Sequence, residues 1–429
     1  MTARAVFFSQ RHGACPGLSA PMQTGDGLLV RLLPVGTLKL GALRALCEAA
    51  RAHGNGVVEI TARGSIQVRG LSAGTAPRFA DALAALGIAA QDGVQVVCNA
   101  LAGLDAEEIV DAAALATDLR RALAGTSLPE RLAPKVSVAV DGGGLDLDDL
   151  AADVLLCAVA ASGGAIFEIG IGGDAARAPS LGAVTPDDGV AAVVGLLDVI
   201  AQRGRAARAR DVIATDGAGA FRAAVAGLLL GDAPLSRLRA SRQAIGAHKL
   251  HDGSLAIGIG LPFGHTDARA LERLADMAAT VGASGVRTAA GRALMIVGLP
   301  PAKAADFKSV ASDLGFIVAA DDPRGLVFAC AGAPACASAY IAARRIAAEI
   351  ADIAAPHLND EFQIHISGCS KGCAHAAATA LTVVGGPTGC ALVANGTTRD
   401  APFAVVAADD VPAAITRHVD ERTREVSHV

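Results

Sequence analysis

Four cysteines stand in two glycine-rich runs toward the end of this 429-residue sequence. Cys330 and Cys336 lie in Val-Phe-Ala-Cys-Ala-Gly-Ala-Pro-Ala-Cys, a C-x5-C spacing. Cys369 and Cys373 lie in Ser-Gly-Cys-Ser-Lys-Gly-Cys, a C-x3-C spacing. Four thiolates are the usual ligand set of a [4Fe-4S] cluster. Gly332, Gly368 and Gly372 allow backbone amides to approach sulfur. The competing readings are buried thiols that only pack and a structural zinc site. Zinc fits the first pair poorly, because its paired ligands usually stand closer in sequence. Cys336 is expected near the start of a helix over Ala337–Ile353, whose amides would stabilise a thiolate. Cys15, Cys47, Cys98, Cys157 and Cys390 are scattered and read as ordinary buried thiols.

An internal repeat must position these groups. Residues 26–71 and 252–299 each open on Asp-Gly and an apolar run. Each continues through a helical pattern, Gly41–His53 and Asp267–Val281, then turns through glycine into a second strand ending in Gly-Leu. Each copy precedes a longer mixed segment. Residues 90–225 carry the expected helices Ala106–Ala124 and Val190–Gln202 and the strand Lys135–Val140. Residues 302–429 carry the cysteines, the helix Ala337–Ile353 and the strands Gln363–Ser367 and Ala380–Val384. The expected plan is α+β, in four segments: 1–85, 86–240, 241–301 and 302–429. Two half-modules would be related by a pseudo-twofold, with a site between them. The run from Arg203 to Asp211 reads as a solvated basic linker.

Composition narrows the function. Hydrophobic residues make up 52% and charged residues 18%, enough apolar content for substantial cores and too much for disorder. Net charge is −5, and there is no Trp and one Tyr, so neither a basic field nor stacking platforms point to nucleic acid. The first residues lack the apolar core of a signal peptide. Leu326–Ala343 and Ala376–Thr398 are uncharged but broken by Gly and Pro, so neither reads as a membrane span. Nine cysteines without a secretion signal favour reduced thiols or metal ligands, and a cytoplasmic location. Gly170-Ile171-Gly172-Gly173 lacks the third glycine of a dinucleotide loop, and no P-loop is present, so electrons are expected from a separate donor protein.

The cysteine spacing and the repeat resemble those of the sirohaem-dependent sulfite and nitrite reductase family. Three further segments are similar to it. Thr61-Ala62-Arg63-Gly64-Ser65-Ile66-Gln67 resembles its tetrapyrrole-binding segment T-x-R-x-x-x-Q. Residues 99–105 resemble its N-x-L-A-G-x-D segment, and residues 134–139 its lysine-bearing strand. The resemblance implies duplicated ferredoxin-like half-domains plus two α/β reductase-type domains. It places the [4Fe-4S] cluster on Cys330, Cys336, Cys369 and Cys373, with Cys373 in the position that bridges to sirohaem iron. Ala14-Cys15-Pro16-Gly17 and residues 260–265, 331–339 and 367–375 resemble the precorrin-3B synthase branch. Where reductases carry Asn, Lys and Arg, this chain has Lys371, Ser137 and Cys98.

That branch implies O2-dependent hydroxylation of precorrin-3A at C20 with γ-lactone formation, in aerobic cobalamin biosynthesis. It also implies an additional iron centre, either non-haem iron or sirohaem through Cys373. The alternatives are a sirohaem sulfite or nitrite reductase and a non-catalytic protein that binds a cluster or tetrapyrrole. A tetrapyrrole substrate carries many carboxylates, which arginine pairs well. The candidates are Arg31, Arg63, Gln67, Lys135 and Arg292, with Arg69 and Arg287 beside them; for Arg69, Arg287 and Arg292 an ordinary surface ion pair is at least as good a reading. A second iron would draw on His12, His248, His251, His265, His365 or His375. His265 and His375 lie in branch-like loops, and His365 reads as a packed strand residue.

Overall fold

The computed structural model describes residues 16–88, 90, 91, 93–147, 150–231 and 242–426. His12 and Cys15 lie outside them. The repeat folds as two antiparallel sheets. The first runs in the order Met22–Thr24, Gly27–Leu32, Ile66–Leu71, Val57–Ile60 and His265–Asp267. The second runs Gly246–Lys249, Leu255–Gly260, Ala293–Leu299 and Gly285–Ala289. Helices Leu40–His53 and Ala268–Thr280 cover them. Their apolar residues recur at helical spacing: Leu43, Leu46, Cys47 and Ala50 in one, Leu271, Leu274, Ala275 and Ala278 in the other, all buried. Asp267 caps the second helix, accepting from the Arg269 amide at 2.8 Å.

The two copies exchange edges. His265–Asp267, from the second copy, pairs with Val57–Glu59 of the first. Leu38, from the first, forms a two-way bridge with Val286 of the second, at 2.8 and 2.9 Å. The exchange closes one edge of each sheet. It also merges the copies, since Val30, Leu46, Phe79, Ile257, Leu271 and Phe307 belong to one apolar core.

A second duplication carries the site. Strands Gln95–Cys98, Ser137–Asp141, Ala152–Ala161, Gly164–Gly173 and Ser180–Val184 form one sheet. Strands Val327–Ala329, Ile364–Ser367, Thr379–Gly386, Gly389–Gly396 and Ala404–Val406 form the other. In each, the first three strands are parallel and the last two antiparallel. The fold is α+β, with duplicated half-domains and duplicated mixed sheets.

Several sequence expectations shift. The helix expected at Ala106 begins at Ala112, where Asp111 accepts from the Ala113 and Ala114 amides. Lys135 precedes its strand, which begins at Ser137. Gly170–Gly173, which the sequence already set apart from a dinucleotide loop, lie within a strand. Arg208 is no linker residue, because it grips the buried Asp153 through Nε at 2.9 Å and Nη2 at 2.7 Å. The helix expected from Ala337 starts at Ala343. Cys336 N donates to Gly332 O and Tyr340 N reaches Gly368 O, both at 2.8 Å, so the chain stays in turns until then.

The two mixed sheets differ at one equivalent place. After the first strand of one stands Asn99; after the first strand of the other stands Cys330. The Gly142 amide donates to Asn99 Oδ1 at 2.7 Å, and the Gly368 amide donates to Cys330 Sγ at 3.1 Å. Asn99 Nδ2 also donates to Asp141 Oδ1 at 2.9 Å and to Leu145 O. The first copy thus fills with amide hydrogen bonds the place where the second presents sulfur. Asn99→Ala strands these buried groups and is expected to cost about 2–4 kcal/mol, read as a lower urea midpoint at unchanged m-value.

Candidate functional site

The two cysteine loops leave neighbouring parallel strands, Val327–Ala329 and Ile364–Ser367, at the same end. Their thiols form one group, since Cys330, Cys369 and Cys336 all act on the Cys373 thiol. Partial burial raises that thiol first and the neighbouring sulfurs raise it further, while Lys371 lowers it. Lys371 Nζ donates to Ser338 Oγ at 2.9 Å and so ties one loop to the other.

The cradle is built for glycine. A Cβ on Gly368 would stand 2.7 Å from Ala339 Cβ and 3.3 Å from Cys330 Sγ, and one on Gly332 would strike the Ala343 amide. Among the described residues, no three His, Cys, Asp or Glu side chains converge as single-ion ligands. A four-iron cluster asks for a wider spread, because each thiolate takes a different iron. Four grouped thiols, close-packed glycines and an amide donor to sulfur fit that cluster. Cys336 has no helix N-terminus beside it; the nearby Arg69 guanidinium supplies positive charge instead.

Arg69 is 4% exposed and anchors the first loop. It pairs with both carboxylate oxygens of Asp26 at 3.0 Å and donates to the Ala335 carbonyl, one residue before Cys336. Gly25 N also donates to Ala335 O, at 3.1 Å. Burial alone would raise the Asp26 carboxyl, but Arg69 and Thr24 hold it below its ordinary value. Glu59, 3.8 Å from Arg69, accepts from Arg344 at 2.7 Å. The Arg69 guanidinium is thus engaged within the protein, by Asp26 and the Ala335 carbonyl. Asp26, Glu59 and Arg344 were not singled out from sequence; the Asp-Gly opening the repeat was the one local signal for Asp26.

Of the remaining candidates, Gln67 lies beside Arg31 on the adjacent strand. With its amide nitrogen toward Glu59 Oε2 at 2.7 Å, its oxygen accepts from Arg31 Nε at 2.7 Å. Arg63 donates to Ser137 Oγ at 3.3 Å and Ala151 O at 2.9 Å, crossing to the first mixed sheet. Lys135 is exposed. Arg287 is held by Thr37 Oγ1 and Ala102 O, both at 2.7 Å. Arg292 occupies a left-handed turn, φ +63°, a conformation that costs a non-glycine residue on the order of 1–3 kcal/mol. It donates to Ala374 O beside Cys373 and lies 5.4 Å from the Phe328 ring. Burial first, and Arg344 second, lower its pKa to about 10, so it stays charged at neutral pH.

The histidines divide. His248 donates through Nε2 to Ala244 O, 3.0 Å away, and His251 sits in a turn. His375 stacks on Phe328 at 4.2 Å and meets His365 edge-on at 6.0 Å. His365 is fully buried, with neither ring nitrogen partnered, and His265 Nδ1 is also buried without a partner. Burial, then His375 and Arg292, lower His365 to about 3. Burial and Arg344 lower His265 to about 4. Cys47, Cys157 and Cys390 are buried thiols, as their scatter suggested; Cys98 faces two arginines.

Residues 20–86 match the nitrite/sulfite reductase ferredoxin-like half domain, and residues 90–231 match the nitrite and sulphite reductase 4Fe-4S domain. The chain is 38% identical to a precorrin-3B synthase from Sinorhizobium sp. over 413 residues, 95% of this chain and 88% of that one. The chain belongs to the nitrite and sulfite reductase family, in its precorrin-3B synthase branch. It is 28% identical to a ferredoxin–nitrite reductase from Synechococcus elongatus, over 82% of this chain and 75% of that one. Its fold superposes on Mycobacterium tuberculosis NirA with a TM-score of 0.77 at 20% identity, covering 92% of this chain and 80% of the other. The segment matched as a 4Fe-4S domain is the first mixed sheet, where Asn99 stands; the thiols belong to the second. No helix among the described residues is long and apolar enough to cross a membrane.

Arg69→Met leaves Asp26 and Glu59 without their shared cation. It is expected to lower stability by about 3–5 kcal/mol, the range for a broken buried pair, and to speed loss of iron to a chelator. His265 and His365 are neutral in the fold and gain protons once unfolded. Their contribution is full above about pH 6.5 and is lost as pH falls toward 4 and 3. Urea unfolding across that window should show falling stability, with a shallower slope in His265→Gln.

Proposed function

We propose that this chain is a precorrin-3B synthase of aerobic cobalamin biosynthesis, acting in the cytoplasm. It hydroxylates precorrin-3A at C20, and the ring A acetate closes a γ-lactone. One oxygen atom of O2 enters the product. The other leaves as water, using two electrons from a separate donor protein and two protons from solvent. The observation that carries this reading is 38% identity extending over 95% of the chain and 88% of its relative.

The [4Fe-4S] cluster on Cys330, Cys336, Cys369 and Cys373 supplies one-electron relay from that donor. The remaining work falls to side chains. Arg31, Arg63, Lys135 and Arg292 supply positive charge to the substrate's carboxylates, and Gln67 orients Arg31. Arg63 bridges from the first sheet of the repeat to Ser137, so it is fixed before substrate arrives. Arg292 holds a buried charge with no carboxylate partner among the described residues, beside the loop of Cys373. His365, fully buried and unpartnered, faces the same place and suits an ordered water.

Similarity to a ferredoxin–nitrite reductase supports the second reading, a sirohaem reductase. Ser137 and Cys98 speak against it, since reduction of a small oxyanion calls for dense positive charge at those places. Anaerobically purified chain should be given precorrin-3A, reduced ferredoxin and 18O2, and the product weighed. Gain of one labelled oxygen is expected. Unaltered precorrin-3A, with the cluster intact and nitrite or sulfite consumed under the same reductant, would move the assignment to the reductases.

A further inference from the structure

A cleft of about 110 Å³ lies where three units meet. The loop Leu33–Gly36 of the first repeat forms one wall. The end of the first mixed sheet, at Cys98, forms another. The hairpin carrying Arg287 forms the third. Arg63, Arg120 and Arg287 all line it, and no Asp or Glu does.

Two of these guanidinium groups are held only by neutral partners, Arg120 by the Cys98 thiol as well as by a carbonyl. Arg287 donates to Thr37 Oγ1, Ala100 O and Ala102 O. Arg120 donates to Val96 O through Nη2 at 3.0 Å, and its Nε is buried with no hydrogen-bond partner. Neither forms a salt bridge with a described residue. The nearest acids are already committed. Glu108 accepts from Gly103 N at 2.7 Å and Ala112 N at 3.1 Å, and Asp111 caps its helix through Ala113 N at 2.8 Å. Backbone carbonyls orient a guanidinium but do not neutralise it. Gathering uncompensated cations around one cleft is unfavourable unless something anionic enters.

The wall is rigid. Gln91 brackets Val96 with two hydrogen bonds, Nε2 to Val96 O at 2.8 Å and Val96 N to Oε1 at 2.9 Å. Cys98 adds a thiol that burial raises and that Arg120 and Arg287 pull back, so at neutral pH it supplies no anion of its own.

We propose that this cleft is an oxyanion-binding site, in which Arg120 and Arg287 clamp a carboxylate or phosphate group. The group comes either from an arm of the tetrapyrrole substrate, which rests on the function proposed above, or from free phosphate, which does not. Arg120 and Arg287 donate charge-assisted hydrogen bonds to the anion, and Arg63 extends the positive surface toward Ser137.

The full-length chain is titrated with inorganic phosphate by calorimetry, and separately with precorrin-3A without air. Binding of either ligand should weaken at least tenfold in Arg120→Gln and in Arg287→Gln. Thr117→Glu, at an exposed helix position on the rim, should weaken it likewise by placing a carboxylate at the cleft. It serves if loss of an arginine prevents folding. Competition between phosphate and precorrin-3A would identify the anion as a substrate arm. Phosphate binding without competition would identify a free-anion site. The proposal is overturned if Thr117→Glu, together with every arginine variant that folds, binds both ligands within twofold of the parent chain. It is equally overturned if the parent chain binds neither.

Discussion

The guanidinium of Arg69 is the contact on which the site depends. It is buried at the seam between the repeat and the cysteine loops, with Asp26 on one side, Glu59 on another and the Ala335 carbonyl ahead. A buried cation of this kind is stable only while every partner stays in place. The repeat therefore fixes the first cysteine loop through a network that tolerates little movement. Arg344 closes the circuit by reaching Glu59 from the helix that starts at Ala343.

Duplication explains both the scaffold and its asymmetry. The exchanged edges of the repeat make one core out of two copies, so neither half positions its hairpin alone. The hairpins then reach outward to opposite mixed sheets. Arg63 crosses to Ser137 of the first, and Arg292 crosses to Ala374 and Phe328 of the second. One mixed sheet answers with Asn99 and a closed hydrogen-bond network, the other with Cys330 and a sulfur. The candidate cluster thiols thus stand in one copy, while the other fills the equivalent place with amide hydrogen bonds.

Much of this was legible in the residues. The cysteine spacing, the repeat and its helices announced themselves through side-chain type and period, which are local properties. Element starts were less legible where turns intervene. Cys336 and Ala343 are separated by a hydrogen-bonded loop whose anchor, Arg69, lies 266 residues away in sequence. The same distance hid Asp26, Glu59 and Arg344, and it left Arg69 open between a substrate ligand and a surface ion pair, where the fold gives a buried one. Arg208 looked solvated because its partner, Asp153, is a strand residue far from it in sequence. Charged residues in particular carry no local mark of whether they are buried, so pairing across the fold is where sequence reading ran out.

The central claim is that four thiols from the second mixed sheet hold one [4Fe-4S] cluster. The direct measurement is iron and acid-labile sulfide content of the anaerobically purified chain, with electron paramagnetic resonance after reduction, alongside Cys336→Ser and Asn99→Ala. The account predicts about four irons and about four sulfides per chain, with the cluster signal lost in Cys336→Ser and retained in any Asn99→Ala that folds. A full cluster signal in Cys336→Ser, or a chain that binds a single zinc ion in place of iron, would contradict it.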